Sequence, residues 1–234
     1  MLEPLQYFYT KDKLDTSIIK SITCGEKYVT VLLKDGSLGV CATLLNKVNV
    51  KIGDLNKPDF NNIEHRIVVN AYYNALYNNR NNYNIEIDIF DEQDFSKYTN
   101  VVMIGFFKSL VKKFEREGIN LHIFDKADTD AALTNMVEQI EYIKNADAIV
   151  LTSTSILNNT FLEIIEASNT GCDIFMLGPS TIMHQDMFRY NNLKILFGSV
   201  FDDNDTRVID IIASGGGTGV FLPYMHKVFF QNDL

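Results

Sequence analysis

Glycine and hydroxyl residues recur in short turns that follow apolar runs in the second half of the chain. Such turns supply backbone N–H groups and side-chain hydroxyls, which can hold a polar or anionic ligand without a metal. The candidate ligand-binding residues in them are Gly105, Phe106, Thr152, Ser153, Thr154, Gly178, Pro179, Ser180, Thr181, Gly215, Gly216 and Gly217. The pattern predicts a ligand-binding site built from turns at the ends of strands.

Three titratable side chains near these turns could serve an enzyme: Lys108, Asp125 and His184. Asp125 follows the first of these turns by twenty residues, the separation at which dinucleotide-binding folds place a ribose-binding acid. The two further glycines of that fingerprint are missing, so the likeness is positional. The glycines at 215–217 are not a Walker loop, because no lysine follows them; they either surround an anion or allow a sharp reversal of the chain.

The cysteines and histidines offer little for direct coordination of a metal ion. Cys24, Cys41 and Cys172 are odd in number and widely spaced, and the four histidines show no H-x-H or H-E-x-x-H spacing. Grouped thiolates or imidazoles are what a transition-metal site requires. Widely spaced cysteines favour free thiols in a reducing compartment, so we expect a cytoplasmic protein.

Composition limits the partners of this chain of 234 residues, which is 46% hydrophobic and carries a net charge of −9. The length allows a substantial core in one large domain or two smaller ones. The acidic balance argues against binding a phosphate backbone, and no apolar run approaches the ~20 residues that span a bilayer. We expect a small-molecule ligand rather than a nucleic acid or a membrane. A homo-oligomer stays open.

Alternation of apolar runs with amphipathic segments after residue 100 indicates the fold class. The runs are Val101–Ile104, Leu121–Phe124, Ala148–Leu151, Asp173–Leu177 and Lys194–Phe197. Short and almost continuously apolar strands are typical of a parallel sheet with helices on both faces. Ligands of such sheets bind outside the carboxyl ends of the strands, where the small-residue turns must lie. The predicted class is therefore α/β.

The first part of the chain has a different pattern. Tyr28–Leu33 and Leu38–Leu44 flank a D-G pair, which predicts a β-hairpin, and Ile63–Tyr77 has helical spacing with Asn70 and Asn74 on one stripe. The polar stretch Asp91–Asn100 is predicted to be a linker. We therefore place a boundary near residue 96, between an α+β domain at 1–95 and an α/β domain at 96–234.

Later segments predict individual helices. Gly118 is positioned as the C-terminal cap of a helix that begins near Phe107, and Thr160 and Glu163 have capping-box spacing. Asp205–Ile212 is predicted as the last helix. The aromatic tail Phe221–Phe230 is expected to enter the core, although exposed phenylalanines there would indicate an assembly interface.

Four segments taken together carry a resemblance to a known family: Ala148–Glu163, Phe175–Thr181, Gly198 and Ser214–Thr218. They resemble an uncharacterised family described as a "putative heavy-metal chelation" domain. Its Gly-Pro-Ser-Thr and Gly-Gly-Gly-Thr motifs are matched in full here, and its Asn-x-Thr helix start is matched at 158–160. Its Gly-Pro-Phe-like turn is matched imperfectly at 105–107, and its Asn-Ala pair resembles Asn74-Ala75.

The resemblance implies a Rossmann-like domain preceded by a domain similar to the enolase N-terminal domain. It also implies a cleft between the two, lined by the strand-end turns and by Asn74, and a role in handling a metal ion or a metal chelate. The residues themselves, which are hydroxyls, glycine N–H groups and Asn amides, suit an anion, a chelator or a nucleotide-like molecule. Two functions stay open: a small-molecule or metal-chelate binding protein, and a transferase or lyase in which Asp125, His184 or Lys108 titrates.

Overall fold

The computed structural model describes residues 1–80, 84–85, 89–126 and 133–231. Its helices are α1 (Pro4–Lys11), α2 (Ile63–Tyr77), α3 (Ile89–Glu92), α4 (Lys108–Arg116), α5 (Gln139–Asn145), α6 (Thr154–Leu157), α7 (Phe161–Ala167), α8 (Thr206–Ala213) and α9 (Thr218–Phe221). Its strands are β1 (Ile19–Cys24), β2 (Tyr28–Leu33), β3 (Leu38–Ala42), β4 (Asn84–Ile85), β5 (Val101–Ile104), β6 (Leu121–Phe124), β7 (Ala148–Thr152), β8 (Asp173–Leu177), β9 (Leu193–Val200) and β10 (His226–Gln231).

A small antiparallel sheet in the order β1-β2-β3 forms the first layer. The hairpin predicted around the D-G pair is confirmed as β2 and β3, whereas β1 and α1 are additions that the sequence pattern did not reveal. Helix α2 packs closely on this sheet at Gly39, where a Cβ atom would lie 2.1 Å from the carbonyl oxygen of Ala71. Only glycine allows the helix to come this near.

A seven-stranded sheet in the order β4-β10-β9-β8-β7-β5-β6 forms the larger part. Strands β6, β5, β7, β8 and β9 are parallel, as predicted, while β10 and β4 extend the sheet in antiparallel pairs. Because β6 lies on one side of β5 and β7 on the other, the strand order reverses between β5 and β7. The carboxyl ends of these two strands form the switch point at which open α/β sheets bind ligands.

Buried side chains join the two parts of the chain. One hydrophobic cluster extends from Leu5 in α1 through α2 to Val228 in β10. The stretch predicted as a linker, Asp91–Asn100, contains the end of α3 and the buried Phe95, whose ring lies 4.9 Å from that of Phe114. That linker prediction is therefore wrong, because an aromatic residue within a polar stretch is drawn into the core. The boundary near residue 96 stays a prediction.

Arg66 of α2 binds residues that precede the helix in the chain and residues that follow it. Its guanidinium group donates to both carboxylate oxygens of Glu3 at 3.2 and 3.0 Å, and to the backbone carbonyls of Phe60, Ile156 and Leu157. Arg66 is 3% and Glu3 7% exposed. Since every guanidinium N–H has a partner, the buried ion pair is fully hydrogen bonded.

Three local predictions for the second part have mixed outcomes. Gly118 ends α4 in a left-handed conformation, with φ 66°, as predicted. The capping box does not form, because the Thr160 hydroxyl donates to the Asn158 side chain and leaves α7 without a side-chain cap. Helix α9 follows α8, so the prediction of Asp205–Ile212 as the last helix is wrong. The aromatic tail begins at the end of α9 and continues into strand β10, where Phe229 is buried. No helix in the described part of the chain is long and apolar enough to cross a membrane.

Candidate functional site

The turns after β5, β7 and β8 pack against one another at the carboxyl edge of the large sheet. Gly105 and Gly178 have φ values of 95° and 132°, a region that favours glycine. A Cβ atom at Gly105 would lie 2.7 Å from Cβ of Thr152, and one at Gly178 would lie 2.5 Å from Oγ of Ser153. Glycine is needed at both positions because the neighbouring turn occupies the space of a side chain. The predicted convergence of these turns is thus observed.

Hydrogen bonds within this edge already use several of the predicted ligand-binding groups. The Phe106 N–H donates to a carboxylate oxygen of Asp125 at 2.6 Å, so Asp125 holds the turn after β5. The hydroxyls of Thr152 and Thr154 lie 3.0 Å apart. Ser153 is buried, and its N–H donates to the carbonyl of the last residue of β8. Thr152 and Thr154 are both half-buried and remain near the surface.

Ser180 and Thr181, predicted to line an open cleft, are 1% and 0% exposed. The Ser180 hydroxyl accepts a hydrogen bond from the N–H of Ala42 at 2.9 Å. The Thr181 hydroxyl lies 2.8 Å from the carbonyl oxygen of Gly178 and 2.9 Å from that of Phe197. These side chains therefore join the turn after β8 to β3 and β9.

Two asparagines of α2 meet the same turn from the opposite side. Asn70 donates from Nδ2 to the carbonyl of Ser180 at 2.9 Å, and Asn74 donates to the carbonyls of Val40 and Pro179 at 2.8 and 3.3 Å. Both side chains are buried. The stripe predicted from their spacing thus bridges the small sheet and the large one, and the contact around Asn74 is closed.

Asn78 extends this stripe by a further turn and was missed because it lies in an Asn-rich tract. Its Nδ2 donates to the carbonyls of Thr181 and Ser199 at 3.0 and 3.2 Å, and its Oδ1 accepts from the N–H of Met183 at 2.9 Å. The side chain is 1% exposed. Its spacing of four residues from Asn74 is the signal that could have revealed it.

The three glycines after α8 lie against the turn between β1 and β2. A Cβ atom at Gly215 would lie 3.4 Å from the carboxylate of Glu26, and one at Gly217 would lie 3.1 Å from the Lys27 side chain. Gly216 packs on the preceding helix, where a Cβ atom would lie 2.5 Å from the side chain of Ile211. These contacts place the loop beside the small sheet rather than among the turns after β5 and β7.

A cavity of about 310 Å³ opens at the carboxyl end of β8 and beside the second half of β9, and we call it the β8–β9 cavity. Its lining consists of Ile89, Phe107, Ser109, Leu110, Leu177, Gly178, Pro179, Phe197, Gly198, Thr218, Leu222, Met225, Lys227 and Val228. Gly178 and Pro179 were predicted as site residues, and Gly198 belongs to a recognised motif. Ser109 and Lys227 were missed, because an isolated serine or lysine has no sequence signal.

The titratable groups considered for an enzyme stand in separate environments. Lys108 is exposed at the start of α4, and Asp125 holds the turn after β5. His184 lies instead against α1 and α2, with its ring 4.5 Å from that of Tyr77. Burial, and secondarily the nearby ammonium group of Lys11, lower the pKa of His184. The contacts that hold these side chains do not assemble them into one catalytic group.

The donor set for a metal ion is unfavourable in the part of the chain that the structure describes. No three His, Cys, Asp or Glu side chains there are grouped so that they could hold a metal ion. Burial raises the pKa of the Cys41 thiol, and that of Cys172, to about 12. A thiol must lose its proton to coordinate a metal. The described residues therefore do not fit direct chelation of a bare heavy-metal ion.

Comparisons with known proteins agree with this fold. The DUF364 family model, described as "Putative heavy-metal chelation", matches residues 88–231. A DUF364 protein of unknown function from Pyrococcus horikoshii is similar in structure, with a TM-score of 0.78, 18% identity, and coverage of 92% of this chain and 93% of the other. One from Desulfitobacterium hafniense, also of unknown function, has a TM-score of 0.77, 18% identity, and coverage of 97% and 98%. No curated protein matches.

Proposed function

The chain belongs to the DUF364 family, and from that premise we propose that it binds a small molecule in the β8–β9 cavity. The supporting observation is the cavity itself, which lies at the carboxyl end of β8, beside the turns after β5 and β7 rather than at the β5–β7 switch point. Its volume is at the lower end of the roughly 300–1,000 Å³ that is usual for small-molecule sites. Apolar walls with a few polar groups at the edge are also typical of such sites.

In this proposal, the heavy metal of the family description binds as a chelate with an organic ligand and not as a bare ion. The described side chains do not group into a metal site, so a heavy metal would reach this protein inside an organic ligand that supplies the donor atoms. The protein would then contact the organic body of the chelate. The three cysteines are free, which supports the proposal that the protein works in the reducing cytoplasm.

Blocking the cavity tests the proposal directly. Ser109 is exposed in the first turn of α4 and lines the cavity, so Ser109→Phe should fill the space without disturbing the core. Gln185→Phe, at an exposed position outside the lining, is the matched control. The probe is 8-anilinonaphthalene-1-sulfonate, whose fluorescence rises in apolar sites, and the chain has no tryptophan to interfere.

We expect saturable binding of the probe to the wild type and to Gln185→Phe, and at least tenfold weaker binding to Ser109→Phe. Equal binding to all three proteins would place the probe elsewhere and contradict the proposal. Native mass spectrometry with elemental analysis tests the chelate separately. A stoichiometric metal bound without any organic ligand would show that the chelate hypothesis is wrong.

A further inference from the structure

We propose that the ligand of the β8–β9 cavity is an amphipathic anion: a flat apolar body bound inside, with one carboxylate-like group held by Lys227 at the edge. This inference rests on the proposed function and names the class of ligand. It is carried by the division of the described lining residues into an apolar interior and one cationic side chain, Lys227.

The interior of the cavity suits a flat apolar body. Leu177 is the last residue of β8, Phe197 lies opposite it in β9, and Val228 of β10 also lines the cavity. The ring of Phe197 is stacked on that of Phe229, with centroids 5.9 Å apart and an interplanar angle of 29°, which fixes the orientation of its plane. Phe107 closes the cavity from the start of α4. A body of one or two fused rings can stack on such a wall, because aromatic faces pack in offset parallel arrangements.

The edge of the cavity suits an anion. Among the described lining residues Lys227 alone is charged, and none is an aspartate or glutamate. Lys227 is exposed, and it has no carboxylate partner among the ion pairs of the described residues, although the whole chain has an excess of acidic side chains. An ammonium group with no carboxylate beside it among the described residues, at the edge of an apolar cavity, favours a ligand that brings its own negative charge.

Neutral polar groups complete the edge. Ser109 offers an exposed hydroxyl, and Thr218 a hydroxyl that already lies 2.7 Å from the Tyr28 hydroxyl. Gly178 and Gly198 also line the cavity, and the Gly178 N–H already donates to the carbonyl of Phe197 at 3.1 Å. These groups can orient a carboxylate but carry no charge, so discrimination between an anion and a neutral analogue of the same shape should depend on Lys227.

A pair of compounds that differ only in charge tests this. The probes are 2-naphthoate and 2-naphthamide, which have the same rings and nearly the same shape, measured by isothermal titration calorimetry at low ionic strength. We expect naphthoate to bind the wild type at least tenfold more tightly than naphthamide. Lys227→Gln should abolish the preference and Lys227→Arg should retain it. Lys108→Gln, which removes an exposed lysine outside the lining, is the matched control and should retain it.

The outcomes distinguish a failure of the amphipathic-anion inference from a failure of the proposed function. Equal binding of both compounds to the wild type, or a preference that survives in Lys227→Gln, would overturn the amphipathic-anion inference. If Ser109→Phe nevertheless weakened both compounds, the cavity would still be the binding site. If Ser109→Phe weakened neither, the proposed function would fail as well. Failure of the wild type to bind either compound would also overturn the inference.

Discussion

Replacing Asn78 by aspartate should strongly destabilise the fold, although the two side chains have nearly the same shape. The wild-type amide nitrogen donates to the carbonyls of Thr181 and Ser199 at 3.0 and 3.2 Å in a buried setting. In Asn78→Asp a carboxylate oxygen would face both carbonyls, and both would lose their donor. Orphaned buried acceptors cost about 1–3 kcal/mol each, and an unpaired buried charge about 3–5 kcal/mol. Allowing for relaxation, we expect a loss of about 3–5 kcal/mol in the free energy of unfolding.

Urea denaturation followed by circular dichroism measures this loss, and its pH dependence identifies the cause. Burial should raise the pKa of the introduced carboxyl group above its unfolded value of about 3.9. The unfolded state then releases the proton first as pH rises, so the variant should lose stability relative to the wild type above about pH 4. At lower pH the protonated group can donate one hydrogen bond, and the difference should shrink.

Asn145→Asp is the matched control, because Asn145 is exposed and donates to a single carbonyl, that of Glu141 at 3.0 Å. We expect it to change the free energy of unfolding by less than about 1 kcal/mol. The reasoning would be refuted if Asn78→Asp were equally mild, or if its stability followed the same pH profile as the wild type.

Three further changes have defined outcomes. Arg66→Met leaves its buried glutamate partner without a counter-charge and should cost about 3–5 kcal/mol in urea denaturation; a cost below about 1 kcal/mol would contradict the assigned bonds. Leu44→Asn combined with Leu45→Gly should stabilise the fold by about 1–2 kcal/mol, since φ values of 51° and 59° disfavour leucine; a fall in Tm would count against this. Iodoacetamide at pH 8 should label only exposed Cys24 in the native protein, as read by peptide mass spectrometry, whereas comparable labelling of the two buried cysteines would contradict their burial.

The parallel sheet was predictable because its strands are buried on both faces and so are continuously apolar in sequence. The convergence of Gly105, Thr152 and Gly178 followed from the same logic, since parallel strands end at one edge. The linker prediction failed because a run of polar residues masks one buried aromatic, Phe95. The strand β1 was not found, since half-buried residues in an edge strand leave a weaker pattern.

The role of each predicted site residue depended on contacts between distant segments. Asn74, Ser180 and Thr181 have the residue types of a ligand site. Asn74 and Ser180 instead join the two sheets, because α2 and β3 lie directly against the turn after β8, and Thr181 binds that turn to β9. Lys227 carries no motif, and only the antiparallel pairing of β10 with β9 brings it to the cavity.

The sequence by itself determined the α/β class, the family and the edge of the sheet where a site can form. Those features depend on local periodicity and on short motifs, which are encoded within a few residues of one another. The tertiary structure alone decided which polar groups form hydrogen bonds between the two sheets and which line a cavity. That distinction rests on hydrogen bonds between residues a hundred or more positions apart, and no local pattern specifies which buried donor meets which acceptor.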